Sequence, residues 1–535
     1  MRHIIYILFC IAVLMGSCMK DKSTLNLHEV SNIGIDTAGL PVRYTVFQKG
    51  ILSVKPTVTI KNGNQEHLIY KWTMNAYQGY ERVVGAEAQL NAEITEVPSA
   101  TPYKLIFTAT DSSNNIKAFF TWDITVISPF GQGLIVADTR DEQNSDVNLI
   151  MAFNFTTSIP KDSANTNIMR NAYSTANGEK ISGIVKQLSY HKYNSYKDVT
   201  FMTDKSFIRI DPNTYQKKDV DAKLFVISPD KIQPDDISTA HYMNQHQYIL
   251  NDGKGFGRYG DNRQFVYSFL ASDSKGYKAN KILGLQNPGV VQSGGVVYDE
   301  LNNRFLLLPR MTSNADPLRN FPATDMGNTA TKFDPNNMGN KTCLHLFEGY
   351  DSRIVSIMKE RDQDKYYAYQ LKLVNPFSGI MGVAANDISQ NPDINKAKYF
   401  TSSNMEQVLF YATEDKVYAM ITEIGSPSTT NLRYTVKPGE KITGMNIYFG
   451  AGVYDGGAGR MYLPSTSAPT DWSKRVTFSA AQRLVILSTY NESTKEGKII
   501  TIPIETLGVG GLVTNPDYIR TYDGFGRITA FGIQI

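Results

Sequence analysis

The sequence predicts an all-β protein, with an N-terminal β-sandwich followed by a seven-bladed β-propeller. Short apolar strands separated by polar turns recur along the chain, and no convincing amphipathic helix follows residue 128. The 31 Tyr and 25 Phe suit half-buried sheet surfaces. Apolar residues make up 41% of the chain and charged residues 20%, which is a globular composition.

Length and charge limit the possible functions. A chain of 535 residues predicts more than one domain. The net charge is only +3 and no long run of Lys and Arg occurs, so the sequence predicts no nucleic-acid partner.

The amino terminus has the organisation of an export signal, predicted over residues 1–17. A basic start at Arg2 and His3 is followed by an apolar run from Ile4 to Met15, and small residues then precede Cys18. The apolar run is too short to span a bilayer, which takes about 20 residues.

The segment Leu14-Met15-Gly16-Ser17-Cys18 resembles the lipobox of bacterial lipoproteins, although Met15 replaces the usual Leu. The resemblance implies lipid attachment at Cys18 and a membrane partner through that anchor. Residues 18–27 then form a tether, and Met19-Lys20-Asp21-Lys22 partly resembles the tag of Bacteroidetes lipoproteins displayed on the outer membrane surface. The alternative is an ordinary secretory signal with an accidental Cys.

The cysteines fit a chain with a single anchor. Cys10 would leave with the signal and Cys18 would carry lipid, so Cys343 alone would remain as a thiol, and an intramolecular disulfide would be impossible. The segment 341–347 alternates like a strand, which favours a buried, inert Cys343 over a nucleophile.

Residues 28–128 predict the β-sandwich, with Trp72 in its core. Turn residues separate the strands, as at 61–64 and 111–115. The predicted strands are 42–46, 57–60, 68–72, 103–110 and 117–126.

This region resembles the PKD-like domains, immunoglobulin-type modules found at the start of Bacteroidetes surface lipoproteins. The resemblance is carried by residues 70–72, 103–111 and 122–126. It implies an Ig/PKD-like fold and says little about function. The segment 128–131 predicts a domain boundary.

Residues 129–535 contain a loose repeat of two apolar strands joined by a polar turn, at the spacing expected of propeller blades. The turns 299–303 and 413–415 resemble hairpins of quinoprotein-like and YVTN-like propellers. The closing strand 528–535 is expected to pair with the first blade, and the alternative is a second and third sandwich. The copies are 133–139 with 147–153, 198–211, 247–252 with 264–269, 295–308, 354–373, 407–421, and 483–489 with 498–502.

The sequence contains no recognisable catalytic, metal or cofactor motif. His241 and His246 are five residues apart, which suits neither a helical nor a strand metal pair. The glycine-rich segments 252–260 and 450–459 lack the strand-then-helix context of phosphate loops, which predicts flexible or tightly turning connections. The acidic pair Asp235-Asp236 is expected in a polar turn.

Aromatic clusters in the predicted connections are the candidates for ligand binding, because exposed rings stack on sugars or peptide side chains. One cluster spans 190–196, a second lies in the connection 311–341, and a third runs from 447 to 472. The predicted ligand-binding residues are Tyr190, Tyr193, Tyr196, Arg319 and Phe321.

Two functions remain open. The resemblance to lipidated PKD-like proteins implies a non-enzymatic accessory partner of a SusC/SusD-type importer, capturing a glycan or peptide nutrient. The alternative is a surface hydrolase or lyase on the propeller scaffold, because propellers host both roles. The lack of a recognisable catalytic constellation favours binding.

Overall fold

The computed structural model describes residues 30–75, 81–99, 101–159, 166–240, 246–266, 268–285, 293–309, 316–324, 326, 328, 330–373, 381–422, 428–449, 459–464 and 475–535. The predicted signal peptide, Cys18 and the tether lie outside these residues. The chain divides into two compact units between Ser128 and Pro129.

The first unit is a β-sandwich. Its larger sheet has the strand order β2-β9-β8-β5-β6, in which β2 and β9 are parallel, and two antiparallel pairs, β1-β4 and β3-β7, complete it. The strands are β1 (Asn32–Asp36), β2 (Arg43–Phe47), β3 (Gly50–Val54), β4 (Thr57–Lys61), β5 (Leu68–Asn75), β6 (Glu81–Gly85), β7 (Leu90–Ile94), β8 (Tyr103–Asp111) and β9 (Ile116–Ile127). A 3-10 turn at Gln65–His67 precedes β5.

Three large aromatic side chains fill the centre of this sandwich. The ring of Trp72 lies 4.3 Å from that of Phe107 and 5.7 Å from that of Trp122. The indole N–H of Trp72 donates to the carbonyl oxygen of Glu87 at 2.7 Å, so the buried donor is satisfied. Trp72 is fully buried, which confirms its predicted place in the core.

The described part of the second unit contains seven antiparallel sheets of three to five strands, here called blades 1–7. Blade 1 contains β10 (Gly133–Thr139), β11 (Asn144–Met151), β12 (Asn167–Met169) and β13 (Ile181–Ser182); blade 2 contains β14 (Val185–Tyr193), β15 (Tyr196–Thr203), β16 (Phe207–Ile210) and β17 (Lys217–Val220); blade 3 contains β18 (Pro234–Ala240), β19 (His246–Asn251) and β20 (Lys254–Tyr259); blade 4 contains β21 (Ala279–Gly284), β22 (Ser293–Asp299), β23 (Arg304–Pro309) and β24 (Arg319–Asn320).

Blade 5 contains β25 (Lys341–Glu348), β26 (Ile354–Glu360), β27 (Tyr366–Leu371) and β28 (Gly382–Asp387); blade 6 contains β29 (Tyr399–Ser402), β30 (Val408–Ala412), β31 (Lys416–Ile421) and β32 (Thr429–Thr435); blade 7 contains β33 (Glu440–Ile447), β36 (Leu484–Asn491), β37 (Glu496–Thr506), β38 (Gly511–Leu512) and β39 (Arg520–Phe525), with the small pair β34 (Arg460–Met461) and β35 (Phe478–Ser479) inserted. The last strand is β40 (Arg527–Gln534). One short helix, α1 (Ala172–Asn177), and 3-10 turns at Asp221–Leu224, Tyr350–Ser352, Ile394–Lys396 and Pro516–Tyr518 lie between described strands.

The last strand joins the first blade. β40 pairs antiparallel with β10, from Gly133 opposite Gln534 to Thr139 opposite Arg527. The expectation that residues 528–535 pair with the first blade is therefore confirmed. The strands β14, β18, β21, β25, β29, β33 and β40 contact one another in that cyclic order, β40 also contacting β14, so one strand of each blade faces a shared centre.

The seven predicted hairpins correspond to the second and third strands of the blades, with one correction. In blade 3, the partner of β19 is β20 and not the predicted segment 264–269, in which Phe265 forms an isolated bridge with Phe225. The glycine-rich segment 252–260 is thus mostly strand, because β20 covers residues 254–259. The tight turn before it, Asp252-Gly253, has positive φ at both residues, 51° and 73°.

Candidate ligand cavity

A cavity of about 320 Å³ lies where the central strands of the seven blades meet, that is, the innermost strand of each blade: β14, β18, β21, β25, β29, β33 and β40. Each of these strands contributes residues to its wall. The lining residues are Leu134, Leu188, Ser189, Tyr190, Ile237, Ser238, Thr239, Leu283, Phe347, Glu348, Thr401, Ser402, Asn446, Ile447, Phe449, Gln482, Ile486, Phe531, Gly532, Ile533 and Ile535.

Most hydroxyl groups of the wall bind neighbouring groups of the wall. The Ser189 and Thr239 hydroxyls hydrogen-bond to each other between blades 2 and 3. The Ser238 hydroxyl accepts from the backbone N–H of Gly284 in blade 4 at 2.9 Å. The Thr401 hydroxyl donates to Asn446 Oδ1 at 3.2 Å, from blade 6 to blade 7. These bonds hold adjacent blades together around the cavity.

Glu348 is the acidic residue among the described residues that line the cavity. It is the last residue of β25, pairs with Ile354, and is 9% exposed. The following residue, Gly349, has no room for a side chain, because a Cβ there would lie 2.8 Å from Val355 Cγ2 and 3.2 Å from Ser402 Oγ. The close packing of Gly349 against blade 6 fixes the backbone that presents Glu348.

The predicted tyrosine cluster, residues 190–196, forms the hairpin between β14 and β15. Its predicted placement in an exposed connection is therefore wrong. Tyr193 and Tyr196 pair across the turn Asn194-Ser195. Tyr190 is only 4% exposed, lines the cavity, and its hydroxyl donates to the backbone oxygen of Ile535.

Tyr196, the first residue of β15, is held in place by a hydrogen bond to Asp198. Its hydroxyl donates to Asp198 Oδ2 at 2.7 Å, and burial, followed by the nearby Asp198 charge, raises the pKa of the phenol. Tyr193 remains half-buried, with its ring beside Gly260 of the next blade. The structure therefore brings one of the three tyrosines into the cavity wall and holds the other two at the adjoining turn.

The second predicted pair does not form a common surface. Arg319 is exposed on β24, the outermost strand of blade 4, where it pairs with Leu307. Phe321 is 4% exposed and belongs to the apolar core between blades 4 and 5. Neither residue lines the cavity, and the placement of Phe321 in an exposed connection is wrong because its ring is needed to fill that core.

The third aromatic segment contributes to the cavity. Ile447 and Phe449 line the wall, whereas Tyr448 between them is fully buried and its hydroxyl accepts from the backbone N–H of Gly459 at 2.9 Å. Residues 450–458 and Trp472 lie outside the described residues.

Two further sequence interpretations concern acidic and thiol groups. Asp236 lies in β18 and not in a polar turn, and it accepts from the backbone N–H groups of Ile237 and Ile282, at 3.0 and 2.9 Å. Burial raises the pKa of this carboxyl group. Cys343 is a buried free cysteine on β25, as predicted, and burial raises the pKa of its thiol.

Within the described ranges, no group of three or more His, Cys, Asp or Glu side chains could hold a metal ion. His246 begins β19 and packs on Tyr248, with ring centroids 6.0 Å apart, whereas His241 lies outside the described residues. No helix in the part of the chain that the structure describes is long and apolar enough to cross a membrane.

Sequence reasoning missed most of the cavity wall, Glu348 included. The residues come from seven distant strands, and no local spacing relates them. The available signal was positional, since Glu348, Ser402 and Ile447 lie at the end of the central strand of their blades. Identifying these strands requires the blade order, which the sequence pattern alone did not give.

Comparison with known proteins adds a partial family match. The PKD-like family matches residues 18–184, which include the sandwich and the first strands of the second unit. No curated protein matches the chain. Among solved structures, the chain is similar to one titled "Dihydro-heme d1 dehydrogenase NirN in complex with DHE", with 9% identity, 75% of each chain covered and a TM-score of 0.36. A likeness at that level indicates neither the function nor a ligand of this chain.

Proposed function

We propose that this protein is a lipid-anchored binding protein of the outer membrane surface, which captures a glycan or peptide nutrient for a SusC/SusD-type importer without turning it over. The observation that carries the proposal is the cavity at the centre of the blades. It combines an apolar wall with a few convergent polar groups, which is the usual chemistry of a small-ligand site.

The cavity suits part of an oligomeric ligand. Its volume of about 320 Å³ is at the lower end of the range for ligand sites, so it would hold one or two sugar or amino-acid units. Tyr190, Phe347, Phe449 and Phe531 are the aromatic residues of the wall, and each ring that stacked on a ligand would contribute about 0.5–1.5 kcal/mol beyond simple burial. A dissociation constant in the micromolar range or weaker, near −8 kcal/mol, would suit a protein that passes its ligand on.

The support for the lipid anchor and for the location on the outer membrane surface comes from the sequence. The apolar run before Gly16-Ser17-Cys18 supports acylation of Cys18, and the charged tag after it supports surface display. The PKD-like match supports the resemblance to surface lipoproteins that work beside importers.

Calorimetry against panels of glycans and peptides, with product analysis of the same mixtures, tests the binding role. Saturable binding of one class with the ligand recovered intact is expected. Shortening of a ligand at catalytic rates would replace the proposal with a hydrolase or lyase.

Metabolic labelling with a fatty-acid analogue tests the anchor. The wild-type protein should be labelled and found with the membrane, whereas Cys18→Ala should be unlabelled and lost from it. Cys343→Ala is the matched control and should be labelled normally. Equal labelling of wild type and Cys18→Ala would contradict the anchor.

A further inference from the structure

We infer that the cavity recognises neutral amide groups of its ligand, and that the side-chain amides of Asn446 and Gln482 donate hydrogen bonds to the ligand's carbonyl oxygens. The inference rests on the proposed binding function and narrows its ligand class. The shared chemistry is an amide carbonyl, which a peptide bond or the N-acetyl group of an amino sugar supplies.

The two side-chain amides of this wall are each held by the oxygen atom. Asn446 Oδ1 accepts from the backbone N–H of Ile447 at 2.8 Å and from the Thr401 hydroxyl at 3.2 Å. Gln482 Oε1 accepts from the backbone N–H of Asn404 at 3.1 Å. Because a backbone N–H can only donate, the accepting atom must be the oxygen in both side chains. The orientation of both amide groups is therefore set by the protein.

The amide nitrogens carry hydrogen-bonding capacity that the protein leaves unused. Within the part of the chain that the structure describes, the hydrogen bonds of both side chains are made by their oxygens, and neither Asn446 Nδ2 nor Gln482 Nε2 donates to a protein acceptor. The wall hydroxyls differ, since Ser189 and Thr239 bind each other and Ser402 donates to a backbone carbonyl oxygen. A ligand acceptor would satisfy the two amide nitrogens without breaking a bond of the wall.

The surface of Asn446 is open towards the shared centre. This residue lies on β33, which pairs with β36 along one edge and faces the centre with the other. Its neighbours Met445 and Ile447 are buried in the core between blades 6 and 7, whereas Asn446 itself is exposed. The accessible surface of Asn446 therefore belongs to the cavity that it lines.

Gln482 lines the same cavity at the seam between blades 6 and 7. Its backbone carbonyl oxygen accepts from the Ser403 hydroxyl at 2.7 Å, next to the bond between Asn404 and the Gln482 side chain. Asn446 is held at this seam too, by Thr401 of blade 6. The two donors thus belong to one side of the cavity, where they can bind the same ligand.

The charges of the wall favour a neutral acceptor over a carboxylate. No Lys or Arg is among the described residues that line the cavity, and Glu348 is acidic. A ligand carboxylate would leave water without a cation to pair with, which is costly in an enclosed site. An amide carbonyl accepts the same hydrogen bonds without a charge. The apolar residues of the wall, such as Leu188 and Ile237, suit the methyl or side chain beside it.

Matched ligands that differ in one amide test the inference by calorimetry. Oligosaccharides of N-acetylglucosamine would be compared with those of glucose in the same linkage, which have a hydroxyl in place of the acetamide. Short alanine peptides with blocked ends would be compared with analogues in which one amide is replaced by an alkene. In at least one arm the amide ligand should bind about tenfold more tightly or better, and that arm identifies the source of the amide.

The variants Asn446→Asp and Gln482→Glu test the two residues. Each keeps an oxygen for the existing hydrogen bonds and replaces the NH2 donor with an acceptor, so each should melt as wild type does but lose the preference for the amide ligand. Asn515→Asp is the matched control, because the exposed Asn515 in blade 7 also accepts from a backbone N–H, that of Asp517 at 3.0 Å, and does not line the cavity. It should bind as wild type does.

Equal binding of both members of every ligand pair by the wild-type protein would overturn the amide selection while leaving the proposed binding function intact. A preference that survives in one of the two cavity variants would overturn the role of that residue. Absence of binding in every arm, with a broader glycan and peptide panel also negative, would overturn both proposals.

Discussion

Arg258 and Asp198 form a fully buried ion pair between blades 3 and 2, with Nη2 of the arginine 2.6 Å from Oδ1 of the aspartate. Burial opposes the charge of the carboxylate, but the charge of Arg258 and its hydrogen bond outweigh burial and lower the pKa of Asp198. The guanidinium also donates to Gln247 Oε1 at 2.7 Å. The pair thereby fixes the base of the tyrosine hairpin beside the cavity.

Removing one partner of this pair should destabilise the second unit strongly. Arg258→Met leaves a buried carboxylate without its cation, and we expect a loss of about 3–5 kcal/mol in unfolding free energy, measured by denaturant titration. The double variant Arg258→Met with Asp198→Leu should recover part of that loss. Lys495→Met, which removes an exposed cation, should cause no measurable change. If Arg258→Met changed the unfolding free energy as little as Lys495→Met, the stabilising role of the ion pair would be contradicted.

The closing strand should stabilise the whole second unit. Deleting residues 528–535 removes the partner of β10 and exposes sheet edges, so the melting temperature should fall sharply. Gln534→Ala should be milder, at about 2–4 kcal/mol, because the buried Gln534 amide donates to three backbone carbonyls and accepts from the buried Tyr215 hydroxyl. The exposed Gln216→Ala is the control. A truncated protein that melts like the full chain would contradict this role for β40.

Cys343 should be unreactive while the protein is folded. Its thiol is 1% exposed, and burial raises its pKa, so little reactive thiolate forms near neutral pH. A thiol reagent should label Cys343 at the rate of unfolding, whatever the reagent concentration. Rapid labelling of native protein, proportional to reagent concentration, would show an accessible thiol.

His345 should make the second unit less stable in acid. Burial, with a smaller contribution from Lys281, lowers its pKa from 6.5 to about 4, so the unfolded state binds the proton more readily. The contribution of His345 to the free energy of unfolding is therefore fully present above pH 6.5. It is lost as the pH falls towards 4, which lowers the unfolding free energy by up to about 3 kcal/mol. His345→Phe should remove this part of the decline in unfolding free energy, while preserving a ring against Phe400, 4.9 Å away. An unchanged pH profile in that variant would contradict the prediction.

The two ends of the tyrosine hairpin should respond differently to substitution. Tyr190→Ala removes a buried ring and its hydrogen bond to Ile535, and should cost about 3–5 kcal/mol. Tyr193→Ala removes a half-buried ring and should cost roughly 1 kcal/mol or less, which leaves a folded protein for binding measurements. Chemical denaturation checks both values. An equal loss of unfolding free energy in Tyr190→Ala and Tyr193→Ala would mean that the turn packs as tightly as the cavity wall.

The sequence by itself determined the all-β class, the core position of Trp72, and the middle strands of the blades. Middle strands are buried on both faces, so their continuous apolar runs, such as 295–298, stand out from polar turns. The outer strands carry no such signal, and β20 was missed because its glycines resemble a loop although the strand is largely buried.

Tertiary structure decided which side chains share a site. Tyr190 and Glu348 are 158 positions apart, yet both line one cavity because the central strands of seven blades converge there. It also decided that Phe321 serves a core and that Arg319 lies on an outer strand. Burial of a residue depends on the neighbouring sheets that pack against its strand, and these contacts between distant segments leave no periodic trace along the chain.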